Sequence, residues 1–228
     1  MTASNPVSEL SAFPVLESLR LTTPVEVFLV LSALSFLPLV LIALTTFTRS
    51  IIVLAFLRQA LGTQQTPPNI VLVLLSVFLT LFTMRPVFEK AYHEGIGPYI
   101  DEKVEFRQGI ENAWMPFRDF ALSQTRESDL VLIHELARVQ VPSRAEDISP
   151  MNLIPAFLLS ELKTAFQIGF VIFLPFLLVD LVASALLMSL GMIMVPPATL
   201  ALPVKIMLFV VVDGWGLVAR TLIFSVNA

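Results

Sequence analysis

The chain contains no cysteine and only two histidines, His93 and His134, among its 228 residues. Without cysteine there can be no disulfide, no thiolate metal site and no cysteine nucleophile. The two histidines lie far apart in the sequence, so we expect each to be a solvated or capping residue rather than half of a metal site. We therefore predict no metal and no cofactor.

Charged side chains are also scarce. They make up 14% of the chain, against 56% hydrophobic residues and a mean hydropathy of +0.85. A soluble domain normally has about a quarter of its residues charged, so lipid or partner subunits must cover much of this surface. The sequence pI of about 5.2 and the lack of a basic cluster argue against nucleic-acid binding.

The few charges are concentrated in one part of the chain. Eight of the fourteen basic and twelve of the eighteen acidic residues lie between Arg85 and Asp147. Within this region apolar residues recur at helical spacing, first around Phe106, Ile110 and Phe117 and then around Leu130 and Ile133. The sequence thus predicts an all-α membrane protein with one amphipathic helical insert.

The remaining apolar sequence falls on either side of this insert. We predict four regions: a polar N-terminal segment at 1–24, a first apolar helical hairpin at 25–84, the insert at 85–150, and a second apolar hairpin at 151–228. The first region lacks a basic stretch leading into an apolar core, so we expect no cleavable signal peptide. Residues 25–47 are long enough to cross a membrane. The apolar stretch of about 40 residues after Pro150 is roughly twice what one crossing needs, which favours a hairpin or a partly extramembrane helix.

The basic residues suggest an orientation. Arg49, Arg58 and Lys205 flank the turns at Pro67 and Pro196, whereas the insert is net acidic. The positive-inside rule then puts those turns on the cytoplasmic side and the termini and insert outside.

Six charged residues interrupt the apolar sequence of the second hairpin. A charge at the bilayer centre costs at least ~2.5–3.5 kcal/mol, so these residues need partners or water. Three interpretations compete: buried pairs between subunits that fix an assembly, a proton or ion relay, and helices that never enter lipid. We favour the first. The six are Glu161, Lys163, Asp180, Lys205, Asp213 and Arg220.

The spacing of these charges makes two geometric predictions. Asp213 and Arg220 are seven residues apart and are expected on one helix face, two turns from each other. Glu161 and Lys163 are two apart and are expected to contact different neighbours.

Motifs for enzymatic chemistry are weak. Gly214 to Ala219 formally matches the dinucleotide pattern G-x-G-x-x-A, but no alternating strand and helix surrounds it. Close helix packing through small residues is the better interpretation. There is no G-x-S-x-G motif, and we predict that the protein is not an enzyme.

The stretch "GMIMVPP", from Gly191 to Pro197, breaks the apolar sequence near its end. Methionine side chains are unbranched and adaptable, and two prolines stop a helix. From the residues alone a re-entrant turn packed in apolar surroundings is the better interpretation of this loop.

Two blocks of the chain closely resemble the FliP family of flagellar type III export-gate proteins: "FTRSIIVLAFLRQALGTQQTPPN" and the apolar sequence from "LSELKTAFQIGF" to "VVVDGW". Arg49 and most of the buried charges fall on the family pattern, as do Pro196 and Pro197. The injectisome family SctR is a near relative.

The resemblance implies a pentamer of this chain, wound with FliQ and FliR into a closed conical pore. Further implied partners are FlhB and FlhA of the export apparatus, unfolded flagellar export substrates, and membrane lipid. The implied location is the bacterial inner membrane at the flagellar basal body, with the insert and much of each hairpin on the periplasmic side. The alternative we retain is an ion-coupled transporter whose relay would use Glu161, Asp180, Lys205 and Asp213.

The resemblance also implies that the loop after Gly191 is the pore gasket. The family usually has three methionines there, whereas this chain has Met192, Ile193 and Met194. A ring of such side chains would seal a pore and yield to a passing polypeptide, with Pro196 and Pro197 stiffening the loop. Ile193 should make the ring less deformable because β-branching restricts its rotamers.

Overall fold

The computed structural model describes residues 42–63, 65–142, 144, 147–192 and 194–226, together with Phe28, Leu31, Ser32 and Ser35. The N-terminal segment at 1–24 and most of the apolar stretch at 25–47 therefore lie outside the described residues. Two compact units are distinguished, Met1–Leu41 and Ile42–Ala228, and the description that follows concerns the second.

Every regular element described in the second unit is helical, as the composition predicted. We number the α-helices α1 to α9 in chain order; a π-helical turn, Tyr92–Ile96, joins α3 to α4. The elements are α1 (Phe47–Leu61), α2 (Asn69–Thr83), α3 (Arg85–Ala91), α4 (Gly97–Ile100), α5 (Phe106–Gln124), α6 (Glu127–Leu136), α7 (Pro150–Ser189), α8 (Pro197–Val211) and α9 (Gly214–Phe224).

The dominant element is α7, a single helix of 40 residues. At 1.5 Å per residue it is about 60 Å long, roughly twice the thickness of a membrane's hydrocarbon layer. Ser149 and Pro150 define the start of this helix. The Ser149 side chain caps it by accepting a hydrogen bond from the Met151 N–H at 3.3 Å, and Pro150 occupies the first turn. The chain turns back only after Ser189, so the apolar stretch is one long helix and not itself a hairpin.

Length and composition give one helix among the described residues that could cross a membrane, and it is α7. Two bent pairs of helices could add two more: α8 with α9, bent by 64°, and α2 with the helical segment Arg85–Ile100, bent by 61°. The protein is therefore a membrane-associated helical protein.

Two separate hydrophobic cores lie along α7. The larger joins α7 to α1, α2, α8 and α9, around Leu54, Leu57, Phe176 and Phe209. The smaller core joins the N-terminal part of α7 to the insert and is built around Phe157 and its neighbours Ala121, Ile148 and Leu153. The Phe120 and Phe157 rings meet edge to face there, with centroids 6.0 Å apart.

The insert has the helices that its periodicity predicted. Phe106 begins α5, and the apolar positions around Leu130 and Ile133 fall within α6. The α5 and α6 helices both pack against α7, which fixes the insert to the long helix.

Candidate functional site

The loop after α7 starts from a defined helix end. The Met192 N–H donates to the Leu187 carbonyl at 2.9 Å and the Gly191 N–H donates to the Met188 carbonyl at 3.1 Å. This pair of bonds is the Schellman motif, which needs a residue with positive φ, and Gly191 has φ +74°. The direction in which the loop leaves α7 is therefore set by backbone hydrogen bonds.

The far side of the same loop is equally well defined. Pro196 caps α8 and Pro197 occupies its first turn. The Pro196 carbonyl accepts hydrogen bonds from the Thr199 N–H at 3.1 Å and from the Thr199 hydroxyl at 2.7 Å. Only residues 190–196 connect the two helices, so the loop is short and held at both ends.

The methionines of the loop project from this end of the molecule. Met194 is 95% exposed and Met192 is 44% exposed, whereas Ile193 lies outside the described residues. Among the large apolar side chains of the described residues, that of Met194 is the most exposed. That position does not match a loop packed in apolar surroundings of the same chain.

Arg49 and Glu161 form a buried ion pair that joins α1 to α7. The Arg49 Nε donates to Glu161 Oε2 at 2.9 Å, and a second nitrogen, Nη2, donates to Oε1. Arg49 is 2% exposed and Glu161 is fully buried. The bidentate geometry satisfies both carboxylate oxygens, which is the condition for a buried pair to be tolerated.

The same guanidinium also reaches two further elements. Its Nη1 donates to the Ser225 carbonyl at 2.7 Å and to the Ser225 hydroxyl at 2.9 Å, while Nη2 donates to Gln124 Oε1 at 3.0 Å. Gln124 in turn donates to the Val226 carbonyl at 3.0 Å. Arg49 therefore links α1, the end of α5, α7 and the residues just after α9.

Asp180 and Lys205 form the second ion pair, between α7 and α8. Lys205 is buried, and its Nζ donates to Asp180 Oδ2 at 2.7 Å and to the Ala60 carbonyl at 3.0 Å. Ala60 belongs to the last turn of α1, whose carbonyls have no partner within the helix and carry the negative end of the helix dipole. Lys205 thus ties three helices together beneath the 190–196 loop.

Lys163 pairs with a residue that sequence reasoning missed. Its partner is Asp129 in α6, which is buried and also accepts from the Ser160 hydroxyl at 2.7 Å. Burial raises the pKa of the Asp129 carboxyl, but the hydrogen bonds from Lys163 and Ser160 outweigh burial, so the pKa lies below its ordinary value. The only sequence signal was an acidic residue beside the apolar positions of an amphipathic helix.

Glu161 and Lys163 contact different neighbours, as their spacing predicted: one binds α1 and the other binds α6. One part of the charge hypothesis was wrong. The Arg49–Glu161 and Asp180–Lys205 pairs form within a single chain, whereas we expected pairs between subunits.

The positions of Asp213 and Arg220 differ from the prediction that they share one helix face. Asp213 lies in the bend before α9 with φ +50°, so it does not share a helix face with Arg220. Both side chains are exposed on this chain, and no ion pair joins either to another described residue. Aspartate tolerates this left-handed conformation better than most residues, a local property that helical periodicity does not reveal.

The glycines beside Asp213 serve close packing, as expected from the small-residue interpretation. A Cβ at Gly214 would lie 2.0 Å from the Phe209 ring, and a Cβ at Gly216 would lie 2.3 Å from the Asp213 carboxylate. Gly214 to Ala219 are therefore the first residues of α9, just after the bend that separates it from α8, and do not form a dinucleotide-binding motif.

The two histidines belong to different elements, His93 to the π-helical turn and His134 to α6. His93 is exposed, but His134 is buried, and its Nδ1 lies 2.8 Å from the Leu130 carbonyl, so a solvated position was wrong for His134. No cluster of three potential metal ligands occurs within the part of the chain that the structure describes.

The ionisable residues do not form a continuous relay along α7. Glu161 and Asp180 are nineteen residues apart on one helix, about 28 Å at the α-helical rise. Each is closed off in its own pair, by Arg49 and by Lys205 respectively. This separation disfavours the transporter alternative and fits a structural role for both pairs.

A long apolar helix, two cores separated by buried ion pairs and an exposed methionine loop at the end of α7 define a helical membrane protein. A family model described as the FliP family matches residues 30–222. The chain belongs to the FliP family.

Individual relatives agree with this assignment, and each is described as flagellar biosynthetic protein FliP. The protein of Pectobacterium carotovorum subsp. carotovorum is 50% identical over 201 residues, covering 88% of this chain and 78% of that protein. The protein of Bacillus subtilis (strain 168) is 44% identical over 206 residues, covering 90% and 93%. The protein of Buchnera aphidicola subsp. Baizongia pistaciae is 48% identical over 202 residues, which are 89% of this chain and only 56% of that relative.

Proposed function

We propose that this chain is a pore-forming core subunit of the flagellar type III protein export gate. Several copies would place their 190–196 loops around one axis and pass unfolded flagellar subunits across the inner membrane. The observation that carries the proposal is Met194, an apolar side chain 95% exposed on the short loop between α7 and α8. In a ring of copies, that exposure would be removed by contacts between subunits.

The physics of the loop supports a deformable seal. Met192 and Met194 have unbranched, polarizable side chains that fill irregular gaps. The Schellman motif at Gly191 and the Pro196–Pro197 cap hold the backbone, so the side chains can move while the loop stays in place. Such a seal would exclude ions at rest and admit a polypeptide of any sequence.

The buried ion pairs support a rigid frame for that loop. Lys205 joins α8 to α7 and to the last turn of α1 on the loop side of the molecule, and Arg49 joins α1 to α7 farther from the loop. A pore that seals with soft side chains needs backbones that do not spread. On this proposal the charges are structural, and their loss would disrupt assembly before it altered selectivity.

The proposed setting is the one that the sequence resemblance implies. The chain would assemble with FliQ and FliR and work beside FlhB and FlhA. The insert, α3 to α6, would lie on the periplasmic side, and the exposed faces of α2, α7 and α8 would be covered by neighbouring subunits or lipid.

A crosslinking experiment tests the proposal. The photoreactive amino acid p-benzoylphenylalanine would replace Met194 in cells that express a flagellar export substrate stalled by a folded fusion. The matched control replaces Met151, which is 83% exposed at the opposite end of α7. We expect crosslinks from position 194 to the stalled substrate and to a second copy of this chain, and none to the substrate from position 151. Substrate capture at 151 alone, or at neither position while secretion still occurs, would refute the proposed path.

A further inference from the structure

His134 is a buried imidazole that the proposed function does not use. It lies on α6 and is 1% exposed. Its Nδ1 is 2.8 Å from the Leu130 carbonyl, and because a carbonyl oxygen can only accept, Nδ1 must carry a hydrogen. In the neutral ring the lone pair is then on Nε2, an atom that is buried without a hydrogen-bond partner. The side chain therefore has one satisfied ring nitrogen and one unsatisfied ring nitrogen.

Protonation of this ring would make its surroundings much less favourable. The added hydrogen would be on Nε2, where it would have no acceptor. No described carboxylate forms an ion pair with His134 that could balance the positive charge. Burying an unpaired charge costs far more than burying a neutral polar group. The packed position of His134 therefore favours the neutral ring.

The charged residues of α7, the helix against which α6 mainly packs, are already engaged. Each forms an ion pair with a residue of another helix. The three pairs are Glu161 with Arg49, Lys163 with Asp129, and Asp180 with Lys205. None of these carboxylates is left without a cation that His134 could replace.

The remaining charges near α6 lie at the surface of the chain. Arg126, just before α6, is half-buried and donates to the Thr164 and Gln167 side chains of α7. In the smaller core's other helix, α5, the Arg118 guanidinium pairs with its neighbour Asp119. The other described charged residues on α6 and between α6 and α7 are exposed, namely Glu127, Glu135, Arg138, Arg144 and Asp147.

The position of His134 links this ring to the attachment of the insert. Leu130, one helical turn earlier on the same face of α6, packs against the smaller core around Phe157 of α7. The same helix is held to α7 by the Asp129–Lys163 pair. A penalty at His134 therefore acts on the contact between the insert and the long helix.

We propose that His134 makes the attachment of α6 to α7 sensitive to pH between about pH 5 and pH 8, where histidine ordinarily changes charge. A ring exposed to water accepts a proton more readily than the same ring packed against α7, so acidification favours the separated helix. The attachment is then complete at the upper end of this range and weakens as pH falls. The inference does not depend on the loop forming a gasket.

The Asp129–Lys163 pair responds in a different pH range. The hydrogen bonds from Lys163 and Ser160 keep the pKa of the Asp129 carboxyl below its ordinary value. Asp129 therefore stays charged while histidine titrates, and the two effects can be measured separately.

A distance measurement between spin labels tests the proposal. The chain has no cysteine, so Leu136→Cys on α6 and Phe170→Cys on α7 would carry the only labels. Both side chains are exposed, at 70% and 62%. The full-length protein would be assembled in nanodiscs with an excess of unlabelled copies, and double electron–electron resonance would be recorded at about pH 7.5 and about pH 5.5.

We expect one narrow distance at the higher pH and a second, longer and broader distance at the lower pH. The ratio of the long to the short population should rise with acidification, by at most about tenfold per pH unit, the limit for the uptake of one proton. The transition should be reversible when the pH is raised again.

The two histidines provide matched variants. In His134→Asn the amide can still donate to the Leu130 carbonyl but does not titrate, so we expect the short distance at both pH values. His134→Leu, which removes both ring nitrogens, should be equally insensitive to pH and serves if the asparagine variant does not fold. His93→Gln removes the exposed histidine and should respond like the parent protein.

Three outcomes would overturn the inference. The first is a parent protein with the same distance distribution at both pH values. The second is a folded His134 variant that responds to acid as the parent does, which would assign the response to a carboxylate. The third is a His93→Gln protein that has lost the response.

Discussion

Arg49 and Glu161 are 112 positions apart in sequence, yet their side chains form a bidentate ion pair with both partners buried. The pair lies on α7 between the two hydrophobic cores, since Phe157 belongs to one core and Ala165 to the other. Apolar packing alone would allow the two cores to slide along the long helix. We propose that a directional pair at their boundary fixes the register between the insert and the other helices.

Removing one partner of this pair should be costly. We expect Glu161→Ala to lower the free energy of unfolding by about 3–5 kcal/mol, because a buried guanidinium is left without a counter-charge. The measurement is the denaturant midpoint of the protein in detergent, followed by circular dichroism. The double variant Arg49→Met/Glu161→Leu should recover much of the loss.

The matched control for that experiment is Glu111→Ala. Glu111 pairs with Arg107 on the exposed face of α5, and an exposed pair contributes about 1 kcal/mol at most. A Glu161→Ala protein no less stable than the Glu111→Ala protein would show that the buried pair does not fix the two cores.

The Asp129–Lys163 pair should make the attachment of the insert sensitive to acid. The pKa of Asp129 is lowered in the folded protein, so its stabilising contribution is complete above the unfolded value near pH 3.9 and disappears as pH falls through the folded pKa. We expect Asp129→Asn to destabilise the protein at pH 7 and to differ less from the wild type as pH falls below about 4. Proteolysis between α6 and α7 measures this attachment. A difference that grows on acidification would contradict the assignment.

Lys205 and Asp180 should not be equivalent. Lys205 is buried and also satisfies the Ala60 carbonyl, whereas the Asp180 side chain is 37% exposed and can be hydrated. We therefore expect Lys205→Met to lower the unfolding free energy by about 1.5–3 kcal/mol, the range for hydrogen bonds to charged groups, and Asp180→Asn to cost less. Thermal unfolding of both variants in the same detergent compares them. The opposite order would mean that the ion pair, and not the contact with α1, is the stronger constraint.

Gly214 should be intolerant of a methyl group for a steric reason. Its Cβ would meet the Phe209 ring at 2.0 Å, so we expect Gly214→Ala to destabilise the protein by about 1–3 kcal/mol through overpacking. Adding Phe209→Leu should restore part of the stability. Gly191→Ala is the contrasting case, because nothing lies within 4 Å of its Cβ and only its φ of +74° opposes the substitution. A Phe209→Leu/Gly214→Ala protein less stable than Gly214→Ala alone would rule out the clash.

Local features of the fold were predictable from the sequence. Pro196 and Pro197 marked the start of α8, Pro150 marked the start of α7, and the spacing from Phe106 onward marked α5. These signals depend on a few neighbouring residues. The family resemblance, carried by two blocks of sequence, agreed with the family model over residues 30–222.

The charge partners were not predictable, because pairing depends on which helices become neighbours. Arg49 contacts Glu161 only after α1 has packed along α7, and the spacing of Lys163 does not point to Asp129. The position of Asp213 was missed because the seven-residue spacing assumed one continuous helix from Asp213 to Arg220. The left-handed backbone conformation of Asp213 interrupts that helix. The continuity of α7 could not be read from composition either, since a long apolar run suits one helix or two.

The account depends most on the methionine loop as a seal. The direct test is ion conductance of the assembled complex in planar bilayers, with wild-type protein compared with Met192→Gly/Met194→Gly and with Met151→Gly as the control. We predict a closed wild-type pore, a closed control and a steady leak of small ions through the double variant. A double variant that assembles fully and conducts no more than the wild type would contradict the account.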